Sequence, residues 1–319
     1  MSIIERVADL LGPVVRSEPD RARQSQQAEI QGLDDVERAM GRDSHGVEAP
    51  ENQAAPMRRK AGDPVPPRSG INQATDTRIR FLRIDPELLR QQNLILPDEK
   101  RNPIAEVFRR IKRRILLNLA HPTPDTYPNL VMVTSAAPGE GKSYCAANLA
   151  LSIALEMDHA VILVDGDVAR PSISKMFGVE VDKGLMDVLL ERQVRLTDVL
   201  FRTNIGKLML LQAGMAHPHA TEMLSSGAMQ RLLKELSEHD PNRVIVFDSP
   251  PIMAASEASS LAGQMGQVVV VVESGKTTEM LLKTALARIE SSNIVGLILN
   301  KGEHASLLDG YGEYGYDAT

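Results

Sequence analysis

The sequence predicts the α/β class: a mostly parallel sheet with helices on both faces, preceded by a disordered N-terminal region and a helical arm. Two observations carry this. Six short runs rich in Val, Ile and Leu lack the polar alternation of a half-solvated strand, so both of their faces must be covered. Helix-length segments separate these runs, as the long crossovers between parallel neighbours require. A glycine-rich loop between the first run and its helix adds a third observation, and it bears on chemistry as well as on fold.

Taken in order, Ile3, Ile4, Val7, Leu10 and Leu11 share one helical face, and Gly12-Pro13 stops the run, so residues 1–12 form a short amphipathic helix. Residues 13–75 hold 7 of the 19 prolines among Gln, Ser, Asp and Arg. Such a stretch buries too little apolar surface to offset its ordering entropy and reads as a disordered linker. Residues 76–128 read as a helical arm. It starts a helix at Pro86-Glu87-Leu88-Leu89 and carries a longer one from Pro103 to Leu119, with Ile104, Val107, Phe108, Ile111, Ile115 and Leu119 on its apolar side. Arg109, Arg110, Lys112, Arg113 and Arg114 lie on that helix as a solvated face or a contact for acidic protein or lipid. The remaining domain, 129–302, has strands at Leu130–Thr134, Ala160–Val164, Leu208–Leu211, Val244–Phe247, Val268–Val272 and Val295–Leu299. Its helices are Ser143–Met157, Leu185–Leu190, Thr221–Glu238, Ser256–Gly263 and Thr277–Ser291. Residues 303–319 form a flexible tail.

Composition excludes several classes. A single Cys cannot build a disulfide framework or a Cys-rich metal site. The longest apolar runs, Ala160–Val164 and Val268–Val272, are far below the roughly 18 residues that cross a bilayer. No secretory signal opens the chain. A net charge of −6 argues against a nucleic-acid partner. The expectation is a cytoplasmic protein.

Three motifs carry chemistry. Ser135-Ala136-Ala137-Pro138-Gly139-Glu140-Gly141-Lys142-Ser143 joins the first strand to its helix. Small residues let backbone amides approach a phosphate chain, Lys142 reaches the terminal phosphates and the Ser143 hydroxyl binds Mg²⁺. This makes the fold a phosphate-loop (P-loop) NTPase, with Pro138, Gly139, Glu140, Gly141, Lys142, Ser143 and Tyr144 lining the nucleotide. Alanine stands at position 136, where the general motif has Gly. Val244-Ile245-Val246-Phe247-Asp248 ends a second strand with a carboxylate that can hold Mg²⁺ through water. Val161-Ile162-Leu163-Val164-Asp165-Gly166-Asp167 ends a third with two, which repel each other unless a cation neutralises them. Asp165 or Asp167 would orient and deprotonate an acceptor hydroxyl.

The phosphate loop, hydrophobic-DGD and hydrophobic-DSPP together resemble the bacterial tyrosine kinases (BY-kinases), over about residues 104–302. Met132-Val133-Thr134-Ser135, Asp167-Val168-Ala169-Arg170-Pro171-Ser172, Gly184-Leu185-Met186-Asp187, the start Met1-Ser2-Ile3-Ile4-Glu5 and Ile84-Asp85-Pro86 are similar to exopolysaccharide tyrosine autokinases of exosortase (PEP-CTERM) loci. The resemblance implies ATP- and Mg²⁺-dependent tyrosine phosphorylation coupled to exopolysaccharide assembly. Its implied partner is a membrane chain-length regulator (polysaccharide copolymerase), and its implied assembly a homo-oligomer, in the family a ring. Because the chain lacks the fused membrane module of many relatives, it is expected to be the separate cytoplasmic subunit, held at the inner membrane only through that partner. The resemblance also places Asn300 near the base and gives Glu106, Arg109 and Lys112 the positions of a subunit-contact helix, with Lys for the family's final Arg. Two residues after the second Asp the family often has Arg; here Ala169 stands there.

Three of the five tyrosines, Tyr311, Tyr314 and Tyr316, fall in the tail, spaced by glycines that cannot build a core. About ten residues separate Lys301 from Tyr311, a reach of roughly 35 Å, enough for phosphorylation in trans. Two alternatives stay open. A partition- or septum-type ATPase switch shares the fold, but its signature Lys five residues before the loop Lys is replaced by Ala137. A non-catalytic nucleotide-binding regulator of a copolymerase would keep the same loop. Cys145 reads as a small packed residue, and His217 and His219 as loop histidines.

Overall fold

The parallel core of the computed structural model follows from those apolar runs. It describes residues 79–97, 102–120, 127–191, 193–240, 242–289 and 294–302, all within the compact unit Asp76–Thr319. The amphipathic helix 1–12, the linker 13–75 and the tail 303–319 with Tyr311, Tyr314 and Tyr316 lie outside the described residues.

The strands are β1 (Arg80–Leu82), β2 (Leu130–Ser135), β3 (Ala160–Asp165), β4 (Leu200–Thr203), β5 (Leu208–Leu211), β6 (Arg243–Asp248), β7 (Gln267–Glu273) and β8 (Ile294–Asn300). They form one sheet in the order β1-β4-β5-β3-β6-β2-β7-β8. From β5 to β8 every neighbour is parallel, while β4 runs antiparallel to β5 and carries β1 parallel to itself. Every residue of β2 is buried, which is why its sequence shows no alternation.

The helices are α1 (Pro86–Gln91), α2 (Pro103–Leu119), α3 (Lys142–Ala154), α4 (Ile173–Phe177), α5 (Leu185–Leu190), α6 (Leu196–Val199), α7 (Ala220–Leu224), α8 (Gly227–His239), α9 (Ser256–Ala262) and α10 (Glu279–Ala287). All six expected strands are present. The four-residue α6 and five-residue α4 are too short for periodicity to reveal. The single helix expected over Thr221–Glu238 is two helices, because Ser226 caps α8 by accepting from the Met229 amide at 3.3 Å.

The segment 76–128 is not purely helical. It opens with β1 at the sheet edge, where the Arg80 guanidinium lies 5.1 Å from the Phe201 ring centroid of β4. Asn204 then fixes the turn to α1, accepting from the Ile84 amide at 2.7 Å and donating to its carbonyl at 3.0 Å. Three residues with one exposed Phe leave no periodic signal, so the strand is invisible to sequence patterning.

Helix α3 explains why this segment belongs to the same core. Every residue from Cys145 to Ala154 is buried. One side meets the sheet, and the other is covered by α2 and by Leu94, Ile95 and Leu96. The buried amide side chain in its middle, Asn148, is satisfied by the Ile95 amide at 2.9 Å and the Tyr144 carbonyl at 3.1 Å. Without the arm, α3 would expose an apolar face to water.

Candidate functional site

Parallel strands place their carboxyl ends on one edge of the sheet, and ligands of such sheets bind outside that edge. The three motifs lie there because β2, β6 and β3 are neighbours. Asp165 and Asp248 close adjacent strands in register. The Gly166 amide donates to the Asp248 carbonyl at 2.8 Å, and a Cβ on Gly166 would meet that carbonyl at 3.0 Å, so glycine lets the strand ends approach.

The loop between β2 and α3 curls through Gly139 and Gly141, at φ of +87° and +96°, a region that favours glycine. Helix α3 opens at Lys142 with no side-chain cap, so its first amides remain for a ligand. The space beside the Gly139 Cα is open. The Glu140 side chain is turned away from that space: its buried carboxylate accepts from the Ala137 amide at 2.8 Å and from the Thr277 hydroxyl. Glu140 therefore contributes its backbone to the loop while its side chain holds the loop's shape. Tyr144 faces the arm, where its hydroxyl donates to the Asn93 carbonyl at 2.9 Å. Burial lifts the Tyr144 phenol above its ordinary range.

Around Lys142 the electrostatics are unbalanced. Its ammonium lies 2.8 Å from Asp167, 3.2 Å from Asp248 and 3.2 Å from the Ser143 hydroxyl. Burial works to lower the Lys142 pKa, but the Asp248 and Asp167 carboxylates outweigh it and raise it. The ammonium stays charged, yet two carboxylates contact it and the charge of a third, Asp165, is felt there as well. Asp165 is wholly buried: one oxygen accepts from the Ser172 and Ile173 amides, each at 3.0 Å, and Oδ1 has no partner among the described residues. Burial first, and then the Asp248 charge, push the Asp165 carboxyl up to about 7. Burial lifts Asp248 as well, and Lys142 offsets this only in part.

This donor set fits a nucleotide with a divalent cation. The loop offers free amides, and the carboxylates carry more negative charge than one Lys neutralises. Asp165 Oδ1, buried and without a partner, also asks for a positive neighbour. No group of three His, Cys, Asp or Glu among the described residues is arranged to hold a metal ion alone. A cation here would share its oxygens with phosphates, as Mg²⁺ does.

The structure thus brings Pro138 to Ser143, Asp165, Asp167 and Asp248 to one site. Asn300, expected near the base, ends β8 against the loop itself, donating to the Glu140 carbonyl at 2.9 Å. The subunit-contact trio does not share a surface. Glu106 and Arg109 pair with each other in solvent, whereas Lys112 is buried. It follows Phe108 by one turn and precedes buried Ile115, so it lies on the inward stripe of α2. Its ammonium donates to the Ser152 carbonyl at 3.2 Å and pairs with Glu156. Lys112 therefore holds α2 on α3 within one chain. Sequence reasoning missed Ser172, whose hydroxyl donates to Asp248 at 3.4 Å, and Thr277 and Lys301, which brace the loop. Only the nearness of Ser172 to the DGD turn and of Lys301 to Asn300 could have signalled them.

Known proteins resemble this chain in sequence and fold. The ParA family model, described as NUBPL iron-transfer P-loop NTPase, matches residues 126–303. The tyrosine-protein kinase YwqD of Bacillus subtilis is 34% identical over 233 residues, 72% of this chain and 92% of YwqD. Tyrosine-protein kinase etk of Escherichia coli is 27% identical over 80% of this chain, which spans 34% of etk. Among solved structures, the VpsO kinase domain superposes with a TM-score of 0.54 at 30% identity, covering 67% of this chain and 97% of that one. The chimerical protein CapA2B2 gives a TM-score of 0.55 at 27% identity, covering 67% and 96%.

Proposed function

Because the chain belongs to the bacterial tyrosine-protein kinases built on the P-loop NTPase fold, we propose that it phosphorylates the tyrosines of its own tail in trans and regulates exopolysaccharide assembly and export. The observation that carries the phosphoryl-transfer chemistry is the meeting of three strand-end motifs around Lys142, with Asp167 and Asp248 both within 3.2 Å of its ammonium. Phosphoryl transfer asks mainly for positioning and charge neutralisation, and this site supplies both.

In this reading the loop amides and Lys142 hold the phosphates of ATP. Ser143 and, through water, Asp248 are the residues that would hold Mg²⁺, and the cation would neutralise charge building on the phosphate oxygens. The bond from the γ-phosphorus to the ADP oxygen breaks as the tyrosine oxygen bonds to that phosphorus. The phenolic proton passes to one of Asp165 and Asp167, the two carboxylates of the DGD turn, of which Asp167 pairs with Lys142. Tail residues Tyr311, Tyr314 and Tyr316 are the proposed acceptors, and a neighbouring copy's site is within their reach. The proposed partner is a membrane copolymerase, which would hold the kinase at the inner membrane; no helix among the described residues is long and apolar enough to cross a bilayer.

The test is incubation with γ-labelled ATP and Mg²⁺. Label on tyrosine is expected in the wild type and absent from Lys142→Met. Phosphate release without labelled protein would instead mark an ATPase switch, and nucleotide binding with neither would mark a regulator. Deleting residues 309–319 is expected to remove most of the label; unchanged incorporation would sink the tail assignment.

A further inference from the structure

The end of β8 makes two consecutive contacts with the phosphate loop. The Asn300 amide donates to the Glu140 carbonyl at 2.9 Å, and the Lys301 ammonium donates to the Gly139 carbonyl at 2.7 Å. Adjacent strand residues ordinarily point to opposite faces. Here Lys301 takes a left-handed backbone, φ +57°, which turns its side chain to the same loop as Asn300. A non-glycine residue adopts that conformation at a cost, so the turn is a feature the surrounding structure must hold in place. It is held. The Ser274 amide donates to the Asn300 carbonyl at 2.8 Å, and Glu273 pairs with Lys301 at 3.3 Å.

The contacts have a consequence for the loop amides. In a planar trans peptide the carbonyl and the following N–H point in opposite directions. Anchoring the Gly139 carbonyl on Lys301 turns the Glu140 N–H away from β8, and anchoring the Glu140 carbonyl on Asn300 does the same for the Gly141 N–H. Neither of these amides donates to an acceptor among the described residues. Both lie in the loop beside Gly139, where an added Cβ would meet nothing within 4 Å. Glycine at 141 permits the close approach of Asn300. A Cβ on Gly141 would lie 2.1 Å from the Asn300 amide nitrogen.

We infer that Lys301 is a positioning residue for the phosphates: it clamps the Gly139 carbonyl outside the loop and, with Asn300, aims two successive backbone amides at the β-phosphate of the nucleotide. This rests on the nucleotide reading above and assigns Lys301 a part in it. The Lys301 side chain is half-exposed, and thermal unfolding of each variant beside the wild type separates loss of the clamp from loss of the fold.

The measurement is the affinity of the full chain for MgADP and for AMP by calorimetry, with Lys301→Met and Lys301→Arg beside the wild type. Lys301→Met is expected to weaken MgADP roughly tenfold, the scale of one charge-assisted hydrogen bond, and to leave AMP within twofold, because AMP has no β-phosphate. Lys301→Arg, which still offers a cation to the carbonyl, is expected to stay within about threefold of wild type for MgADP. The inference is overturned if Lys301→Met binds MgADP as the wild type does, if AMP weakens equally, or if Arg is no better than Met. Wild-type protein that binds no ADP would overturn the nucleotide reading itself, an outcome distinct from the other three.

Discussion

Asp165→Asn should make the nucleotide-free protein more stable while removing its activity. In the wild type the Asp165 carboxyl is pushed up to about 7 by burial and by Asp248, against roughly 4 in an unfolded chain. Below pH 4 the group is neutral in both states and costs nothing. As pH rises from 4 to 7 the unfolded chain releases its proton while the folded chain retains it, and stability falls by up to about 1.4 kcal/mol per unit. Above pH 7 both forms are ionised and the loss is complete, with a ceiling of about 4 kcal/mol. Solvent penetration and relaxation of the site reduce such figures, so about 2 kcal/mol is the working expectation. Asparagine keeps one oxygen for the Ser172 and Ile173 amides and puts an uncharged NH₂ in place of the partnerless Oδ1.

The assay is thermal unfolding of metal-free protein at pH 5 and pH 8. For a unit of this size about 2 kcal/mol raises Tm by roughly 4–8 °C at pH 8, and less than half of that gain should remain at pH 5. Phosphotyrosine formation should be lost at both. A variant less stable than the wild type at pH 8, or a gain independent of pH, would refute the claim that the buried charge of Asp165 strains the empty site.

The same proton links to the metal. Because a cation favours ionised Asp165, Mg²⁺ affinity in the presence of ADP should be about tenfold weaker at pH 6 than at pH 8; a flat profile in calorimetry would remove Asp165 from the cation's surroundings. Lys112→Met should lower stability by about 1 kcal/mol by freeing the Ser152 carbonyl and Glu156, with no change in oligomer size by light scattering, since this lysine is spent inside one chain. Cys145, buried on α3 with its thiol pushed up to about 12 by burial and by Asp248, should resist thiol reagents until the protein unfolds. Rapid labelling of the native protein would contradict that placement.

The sequence made the parallel sheet and the phosphate loop legible because both rest on local patterns. A doubly covered strand has no polar alternation, and a loop that wraps phosphate needs glycine at particular points. Asp165 and Asp248 were legible for a related reason: a carboxylate ending a buried strand has few uses other than a cation. Lys112 shows where such reading stops. A basic residue in a run of basic residues looks solvated, and only the three-dimensional phase of α2, set by Phe108 and Ile115 against α3, turns this one inward. The strand β1 was hidden for a different reason, being too short to carry a period and held by Asn204, a residue 120 positions away from its partner Ile84.

Lys301 joins both kinds of concealment, and this bears on how the site works. Its role depends on a left-handed backbone that no residue type at position 301 announces, and on a carbonyl 162 positions earlier in the chain. The loop's glycines permit its curve but do not choose it, since a glycine-rich loop free of contacts samples many curves. Selection comes from side chains that grip the loop: Asn300 at the end of β8 and Lys301 just after it hold its carbonyls, and Thr277, from the turn before α10, holds the Glu140 carboxylate. The fixed amides a phosphate meets are therefore a property of the sheet edge as much as of the loop. The residues that follow Gly302 lead directly from this clamp to Tyr311, so the segment proposed as substrate is continuous in sequence with the residues that shape the phosphate site.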